Sequence, residues 1–382
     1  MPQVTGVRDT ENIQQAKRVI DMAETIALLE PNESPFMSFM KIAKRNVRTV
    51  FNPKYEWSED NLGARWDAIN NASGYLAAAT SLVVDNGTYF APGYVVKVPR
   101  TGEVFIVTAV STNTLTVVRG YGVTTAADLV DNDPLLIIGN ANNEGAKAPE
   151  IRSTLEVPVY NYTQIFRTVV GATRTNEKSK HYGGNDLAYQ RRKKGVEHKI
   201  DMSRSFILGE RKLDTTGAKP RRTTGGLLSY LTKNNYDAGG QLTQSEFDNN
   251  ISEVIFKFGS KEKLMLCSAR LISVINGWAL GKLMINQEAK KYGLNIMQYV
   301  TPHGTLNLLN ESKILEGAVY GGYGIIIDPA NVGYCPLNGS DTKLRTNIQD
   351  NDEDGTRDEY LTEAGLEVKL PDTHGVLTGV TS

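Results

Sequence analysis

A β-rich stretch, residues 78–142, separates two segments of this chain that have the alternating pattern of β-strands. Before it, Tyr55 and Trp57 alternate with charged neighbours, and after it apolar and polar residues alternate over 155–160. The two flanking segments are predicted to be the arms of one long hairpin. The residues between them must leave the hairpin, fold as a small unit and return to it.

The inserted stretch is rich in Val, Thr, Gly and Asn and has almost no helical periodicity. Turn pairs such as Asn-Gly and Pro-Gly divide it into short strands. Because a sheet this small buries an apolar face only by curling, a closed or sandwiched β-domain is predicted. The predicted strands are 81–85, 94–98, 103–110, 114–118 and 135–138.

Helical periodicity marks the N-terminal region and one long central segment. A first helix is predicted from near Thr10 to Pro31, which stops it. A short second helix is predicted to open at Ser34 and Pro35, which suit the N-cap and the first helical position. Apolar residues at helical spacing predict a long helix over about residues 185–212.

Residues 219–339 mix both kinds of element. Thr243 and Glu246 form a capping-box pattern ahead of a helix, and short apolar runs predict four strands. From about residue 341 the chain returns to extended segments, so the fold class is α+β. The four strands are predicted at 264–267, 297–300, 305–309 and 324–327.

Composition argues against several classes of function. The 42 Lys and Arg residues nearly balance the 43 Asp and Glu residues, so the chain is not a generally basic nucleic-acid binder. No apolar run approaches the roughly 18 residues that span a bilayer, and no secretory signal pattern opens the chain. With 4 His residues, and with Cys267 and Cys335 outside any metal-ligand spacing, neither an enzyme nor a zinc site, disulfide or cofactor is predicted.

One acidic loop is similar to a calcium-binding sequence. Asp350, Asp352 and Asp354 fall at positions one, three and five, and Gly355 falls at position six. Position twelve is Leu361 where a bidentate carboxylate is needed, and the flanks look extended where an EF-hand needs helices. A solvated acidic turn is the favoured interpretation, with weak Ca²⁺ binding as the alternative, and no metal site is predicted.

The neutral total conceals two oppositely charged segments. Residues 183–212 carry eight basic and four acidic residues, and residues 349–372 carry nine acidic and two basic ones. These segments can pair within one subunit or between subunits; contact with nucleic acid and a solvated helix face are the alternatives. The basic run in the first segment is Arg191, Arg192, Lys193 and Lys194.

The order of these parts resembles the Hong Kong 97-like major capsid proteins of tailed phages. A helical arm, a two-stranded excursion, a long helix, an α+β domain and final strands follow one another as in that family. Short sequences are also similar to it: Asn161–Phe166 entering 168–171, Thr224–Leu227 and Tyr299–Thr305. The resemblance covers nearly the whole chain.

The resemblance implies a fold of five parts, two of them discontinuous in sequence. They are an N-terminal arm (1–46), an extended loop reaching a neighbouring subunit (47–77 and 143–172), an inserted β-domain (78–142), a peripheral domain built on the long helix (173–218 and 340–382) and an axial domain (219–339).

The resemblance also implies self-assembly into hexamers and pentamers of an icosahedral shell around double-stranded DNA, without sequence-specific binding and without a membrane. Scaffold, portal and decoration proteins are the implied partners. The expected location is the virion capsid, assembled in the host cytoplasm. Tyr55 and Trp57 are predicted to be exposed anchors between subunits, and the basic run is a second candidate interface.

Three other functions stay open at this point. The inserted β-domain also suits another virion component, such as a tail or surface protein. A nucleic-acid-binding module built on the basic helix is less favoured, and a hydrolase is the least favoured reading.

Overall fold

The computed structural model describes residues 35–43, 46–180, 186–279 and 297–381. The chain forms two compact units, one comprising residues 1–57 with 159–382 and the other comprising residues 58–158. The helix predicted from Thr10 lies outside the described residues. Within the described ranges, no helix is long and apolar enough to cross a membrane.

The described helices are α1 (Pro35–Ala43), α2 (Arg174–Lys178), α3 (Asp186–Leu208), α4 (Leu227–Tyr230), α5 (Gln244–Phe247), α6 (Glu253–Ile255), α7 (Ala269–Ala279) and α8 (Gly317–Tyr320). A π-helical turn, Asp248–Ser252, joins α5 to α6, and 3₁₀ turns cover Gly87–Tyr89 and Pro371–Thr373. The strands are β1 (Lys54–Glu59), β2 (Trp66–Ala68), β3 (Ser81–Val83), β4 (Tyr94–Lys97), β5 (Val104–Ser111), β6 (Thr114–Val118), β7 (Pro134–Asn140), β8 (Val157–Tyr162), β9 (Gln164–Thr173), β10 (Lys212–Asp214), β11 (Arg221–Thr223), β12 (Asn235–Gly240), β13 (Glu262–Cys267), β14 (Met297–Val300), β15 (Thr305–Asn310), β16 (Gly324–Ile327), β17 (Val332–Pro336), β18 (Lys343–Arg345), β19 (Gly355–Val368) and β20 (Gly375–Val380).

The second unit is a closed antiparallel barrel. Six strands pair in the order β2-β7-β4-β5-β6-β3, and an antiparallel bridge between Ile69 and Val84 joins the first strand to the last. Asn70 N donates to Val83 O at 3.0 Å and Asp85 N donates to Ala68 O at 3.1 Å across this junction. All five strands predicted for the insertion are confirmed. Closure removes the free sheet edges that would otherwise pair with other chains.

The barrel unit is wider than the predicted insertion of 78–142. Strand β2 pairs antiparallel with β7, with Trp66 opposite Leu136, and it supplies the closing edge. Three residues are too few to show an alternating pattern, so sequence periodicity could not reveal this strand.

A six-stranded mixed sheet forms one part of the first unit, in the order β12-β20-β16-β13-β15-β14. Strand β13 is buried on both faces: Leu264 and Leu266 belong to one hydrophobic core, and Met265 and Cys267 belong to another. A sheet covered on both sides needs such a continuous apolar run. The four strands predicted in this region, and the capping box of Thr243, are confirmed.

The second sheet of this unit is built on the 14-residue strand β19. It pairs antiparallel with β17, β18 and β9. Helix α3 packs across β9 and β19 and confirms the predicted long helix, although it ends at Leu208, four residues early. Gly209 N closes the helix by donating to Ser205 O at 2.9 Å.

Three strands lie in a sheet together with strands of a different predicted domain. Strand β9, predicted as part of the extended loop, pairs with β19 over ten residues. Strand β17, predicted as axial, lies in the β19 sheet, and β20, predicted as peripheral, lies in the six-stranded sheet. The chain passes three times between the two sheets, after β9, after β16 and after β19, and its composition does not change in a way that marks these crossings.

Helix α1 is part of the core, although the sequence places it in an N-terminal arm. Phe36 and Met37 are buried in the same hydrophobic core as Leu264. Phe36 N donates to the buried Glu311 carboxylate at 2.8 Å, so a negative charge lies at the helix N-terminus, where the helix dipole favours it.

Candidate assembly site

Strands β1 and β8 form a two-stranded ribbon whose root is buried against its own unit. Tyr55 and Trp57 are 5% and 6% exposed and pack with Val50 and Cys335. The ring centroid of Trp57 lies 5.8 Å from that of Tyr230. The prediction that these two aromatic side chains are exposed is therefore wrong. Alternation identified the apolar face of β1 correctly, but that face is covered by the same subunit.

Asn161 on β8 holds the ribbon root to two distant segments. Its Nδ2 donates to Thr224 Oγ1 and Gly225 O, both at 3.1 Å, and to Leu366 O at 2.7 Å. Its Oδ1 accepts from Gly225 N and Tyr162 N, both at 2.8 Å. Two of the sequences that resemble capsid proteins, beginning at Asn161 and at Thr224, therefore meet here. The amide is fully buried and uses both its donor and its acceptor capacity.

Gly365 makes room for the ring of Tyr55. Tyr55 Oη donates to Leu366 O at 2.9 Å, and burial raises the pKa of this phenol well above its ordinary value. A Cβ atom at position 365 would overlap Tyr55 Oη and would lie 2.8 Å from Tyr162 O. Only glycine lets β19 approach the ribbon root this closely.

We expect Gly365→Ala to lower the free energy of unfolding by about 1–3 kcal/mol, because the new methyl group must displace Tyr55 from its site. Denaturant unfolding of the unassembled subunit measures this loss. Adding Tyr55→Phe removes the overlapped oxygen, so the double variant should lose less than the sum of the two single variants. Strict additivity would contradict the proposed overlap.

The outer side of the root is a cation–aromatic cluster around Tyr160. Arg211 Cζ lies 3.9 Å and Lys54 Nζ lies 4.5 Å from the centroid of its ring. Its carbonyl oxygen accepts from Arg211 Nη1 at 2.5 Å and from Tyr230 Oη at 2.8 Å. Burial raises the pKa of Tyr230 to about 12, so this hydroxyl stays protonated and donates at neutral pH.

His198 on α3 joins the helix to both long strands beneath it. Its Nδ1 lies 2.9 Å from Thr168 Oγ1 on β9, and its Nε2 lies 2.8 Å from Thr362 Oγ1 on β19. Sequence patterns could not predict this contact, because the two threonines lie 30 and 164 residues away along the chain. One imidazole therefore joins α3 to both strands of the sheet beneath it.

The sequence profile of the SU10 major capsid proteins matches residues 4–381, which is nearly the whole chain. The chain belongs to the SU10 major capsid protein family. It is a major capsid protein of a tailed phage, and its copies form the icosahedral shell. The alternatives of a tail component, a nucleic-acid-binding module and a hydrolase are set aside.

Relatives and solved structures agree with this family. The major capsid protein of Pseudomonas phage PaMx41 is 25% identical over 281 residues, which cover 70% of this chain and 67% of that protein. The major capsid protein of Escherichia phage Phieco32 is 37% identical over 76 residues, 20% of this chain and 22% of that protein. The capsid of an empty GTA particle matches with a TM-score of 0.52 and 9% identity over 98% of both chains. The last likeness shows the fold, which is the predicted Hong Kong 97-like capsid fold.

The basic run of this capsid protein is partly used within the subunit. Arg191 Nε lies 2.6 Å from the buried Asp358 carboxylate on β19, and Lys194 pairs with Glu197 one helical turn away at 2.5 Å. Arg192 is exposed and Lys193 is half-buried. Pairing within one subunit, one of the options left open by the sequence, is thus present, and a role of these four residues between subunits stays a prediction.

The acidic C-terminal segment is neutralised in the same way. Buried Glu359 binds Arg167 at 2.5 Å and Arg345 at 3.1 Å, and buried Glu367 binds Arg48 at 2.9 Å. In the turn before β19, Asp354 pairs with Arg174 at 2.7 Å. Among the described residues no group of three or more His, Cys, Asp or Glu side chains is placed to hold a metal ion. The interpretation of the acidic loop as a solvated turn stays a prediction.

A buried polar cluster braces two of the three connections between the sheets, β16–β17 and β19–β20. His374, on the β19–β20 connection, accepts from Asp328 N at 3.0 Å through Nδ1, and its Nε2 lies 2.9 Å from Lys369 O. Asp328, on the β16–β17 connection, accepts from Ser260 N at 2.7 Å and lies 3.6 Å from Lys263 Nζ. One imidazole therefore ties both connections together.

The protonation states of the brace follow from its burial. Burial lowers the pKa of His374 to about 4, so its ring is neutral at pH 7 and Nδ1 can accept. Burial also lowers the pKa of Lys263. Burial alone would raise the pKa of Asp328, but hydrogen bonds from Ser260 and Ala330 and the charge of Lys263 bring it below its ordinary value.

Proposed function

We propose that this capsid protein forms hexameric and pentameric capsomers in which the ribbon and its barrel contact a neighbouring subunit. The observation that carries this proposal is the return arm, residues 141–156, which follows the last barrel strand. Every residue of this arm is exposed and none lies in a helix or strand. Ile151 and Leu155 are 99% and 85% exposed. Apolar side chains presented in this way on an assembly subunit are typical of interaction surfaces.

The rest of the proposed shell subunit follows from the two sheets. The β19 sheet with α3 is assigned as the peripheral domain, and the six-stranded sheet is assigned as the axial domain at the capsomer centre. The shell is proposed to enclose double-stranded DNA without sequence-specific contact, which the near-zero net charge of -1 supports. Scaffold, portal and decoration proteins are its proposed partners, and the host cytoplasm is the proposed place of assembly.

Deleting residues 58–158 and joining Trp57 to Val159 by a short turn is expected to leave a folded subunit that forms no shells. The cores of the first unit contain only its own residues, so its folding does not need the barrel. Circular dichroism and thermal unfolding test the fold, and negative-stain electron microscopy tests assembly. Normal shells from this shortened chain would contradict the proposed role of the ribbon.

The limits of the deletion matter for its interpretation. Removing the whole predicted loop, from residue 47 to 172, would also remove β9, the ten-residue partner of β19, and the ribbon root with Asn161. Loss of assembly in that variant would report unfolding. The shorter deletion keeps both.

A further inference from the structure

The barrel carries an apolar surface that its own fold does not use. On five adjacent strands, outward positions are occupied by aliphatic or aromatic residues, while the neighbouring inward positions fill the barrel core. The register places Trp66 opposite Leu136, and Ile106 opposite both Val95 and Val118. The barrel band, as we name this surface, comprises Trp66, Val95, Ile106, Val118, Leu136 and Ile138.

Three of the apolar side chains in the barrel band are more than half exposed. Trp66, Ile138 and Val118 are 54%, 52% and 51% exposed. Antiparallel strands with one solvated face normally alternate apolar and polar residues. Here Leu135–Ile138 is apolar at four consecutive positions, whereas Thr108 and Thr116 mark where the outward face becomes polar again. None of these six residues is among the buried residues of the barrel core, so their exposed apolar surface is available to bind a partner.

The return arm supplies a matching apolar surface on the same chain. Ile151 and Leu155 are exposed along it, Val157 is exposed directly after it at the start of β8, and Glu150 and Glu156 lie beside them. Lys97 is exposed and lies opposite Leu136 of the band. Arm and band are therefore complementary in both hydrophobicity and charge. Three residues of the band, Trp66, Val118 and Ile138, stay exposed in the same chain, although Arg152 of the arm binds Thr88 O. Val95, Ile106 and Leu136 are half-buried.

We infer that the barrel band of one copy binds residues 150–157 of a second copy, which are the end of the return arm and the first residue of β8. This inference rests on the proposed function, in which the ribbon contacts a neighbouring subunit, and it names the surface that receives it. Trp66, on the strand at one end of the band, is the proposed aromatic anchor, since large aromatic residues often dominate an interface. Each copy then gives one arm and receives one, so the contact runs head to tail around a capsomer.

Paired cysteines test this contact. The native Cys267 and Cys335 are fully buried, so they do not compete with introduced surface thiols. Shells of Ile138→Cys combined with Leu155→Cys are expected to give a ladder of linked subunits on a non-reducing denaturing gel after mild oxidation. Neither single variant should do so. The matched control combines Leu155→Cys with Val123→Cys, a fully exposed barrel residue outside the band, and should give no ladder.

Each other outcome has a defined meaning. Disulfide-linked dimers of the Ile138→Cys single variant would show that the barrel bands of two copies contact each other, and would overturn the inference. Intact shells without a ladder from the paired variant would also overturn it, while leaving the proposed function standing. Absence of shells from the unmodified chain, seen by electron microscopy of the same preparations, would instead contradict the proposed function.

The charge complementarity gives an independent readout. Lys97→Glu is expected to reduce the yield of the ladder about two- to five-fold, since a single exposed ion pair is worth under about 1 kcal/mol. Adding Glu156→Lys should restore it. If Lys97→Glu alone and Lys97→Glu combined with Glu156→Lys lost the same amount of ladder, Lys97 would not face the arm.

Discussion

Asn161→Ala is expected to lower the free energy of unfolding by about 3–5 kcal/mol and to abolish shell formation. The substitution removes five hydrogen bonds at a fully buried position. It leaves Gly225 N and Tyr162 N without their acceptor, and each unsatisfied buried group costs about 1–3 kcal/mol. Leu366 O still accepts the hydrogen bond from Tyr55 Oη, so the loss of stability is smaller than the number of removed hydrogen bonds suggests.

Denaturant unfolding of the unassembled subunit measures this effect, and electron microscopy follows assembly. Asn338→Ala is the matched control, because Asn338 is exposed and a surface substitution of this kind changes stability by within about 0.5 kcal/mol. If Asn161→Ala were as stable as this control, the amide would not be what holds the ribbon root.

Acidification from pH 6.5 to 4 is expected to cost about 3 kcal/mol of stability through His374, the difference between its folded and unfolded pKa values. The unfolded state binds the proton more readily in this window, so stability is present above pH 6.5 and is lost as the pH falls towards the folded pKa. Protonated Nδ1 can no longer accept from Asp328 N. Lys263 and Asp328 are the charged groups facing the ring: the first opposes its protonation and the second favours it.

The measurement is the free energy of unfolding across this pH window in three proteins. His374→Gln keeps an amide donor and acceptor without titrating, so its acid slope should be flatter than that of the unmodified chain. His303→Gln changes an exposed histidine and should keep the full slope. Identical slopes in all three would exclude His374 as the source.

Regular elements with strong local signals were predictable from the sequence. Turn pairs and β-branched residues located the barrel strands, and helical spacing located α3, because both signals are complete within a short window. Strand β2 was not predicted, because its partner β7 lies about 70 residues away and three residues are too few to show an alternating pattern. Closure of the barrel through Ile69 and Val84 was therefore visible only in the structure.

The assembly site was less predictable, because its contacts are nonlocal. Asn161 acquires its role from Thr224, Gly225 and Leu366, which lie 63, 64 and 205 residues away. Alternation showed that Tyr55 and Trp57 share an apolar face but could not show what covers it. The basic run was recognised as a charge pattern, yet its partner Asp358 is 167 residues away.

The way in which the barrel is attached lets its sequence change without altering the fold of the first unit. Its chain enters after Trp57 and leaves before Val159, through two strands that pair with each other. A domain whose ends leave side by side can be exchanged for another of similar end spacing while the rest keeps its fold. Substitutions in the barrel can thus alter the contacts that we propose it makes with a neighbouring copy, while the cores of the first unit, which contain only its own residues, stay as they are. Folding of the subunit and contact between subunits can therefore change independently in sequence.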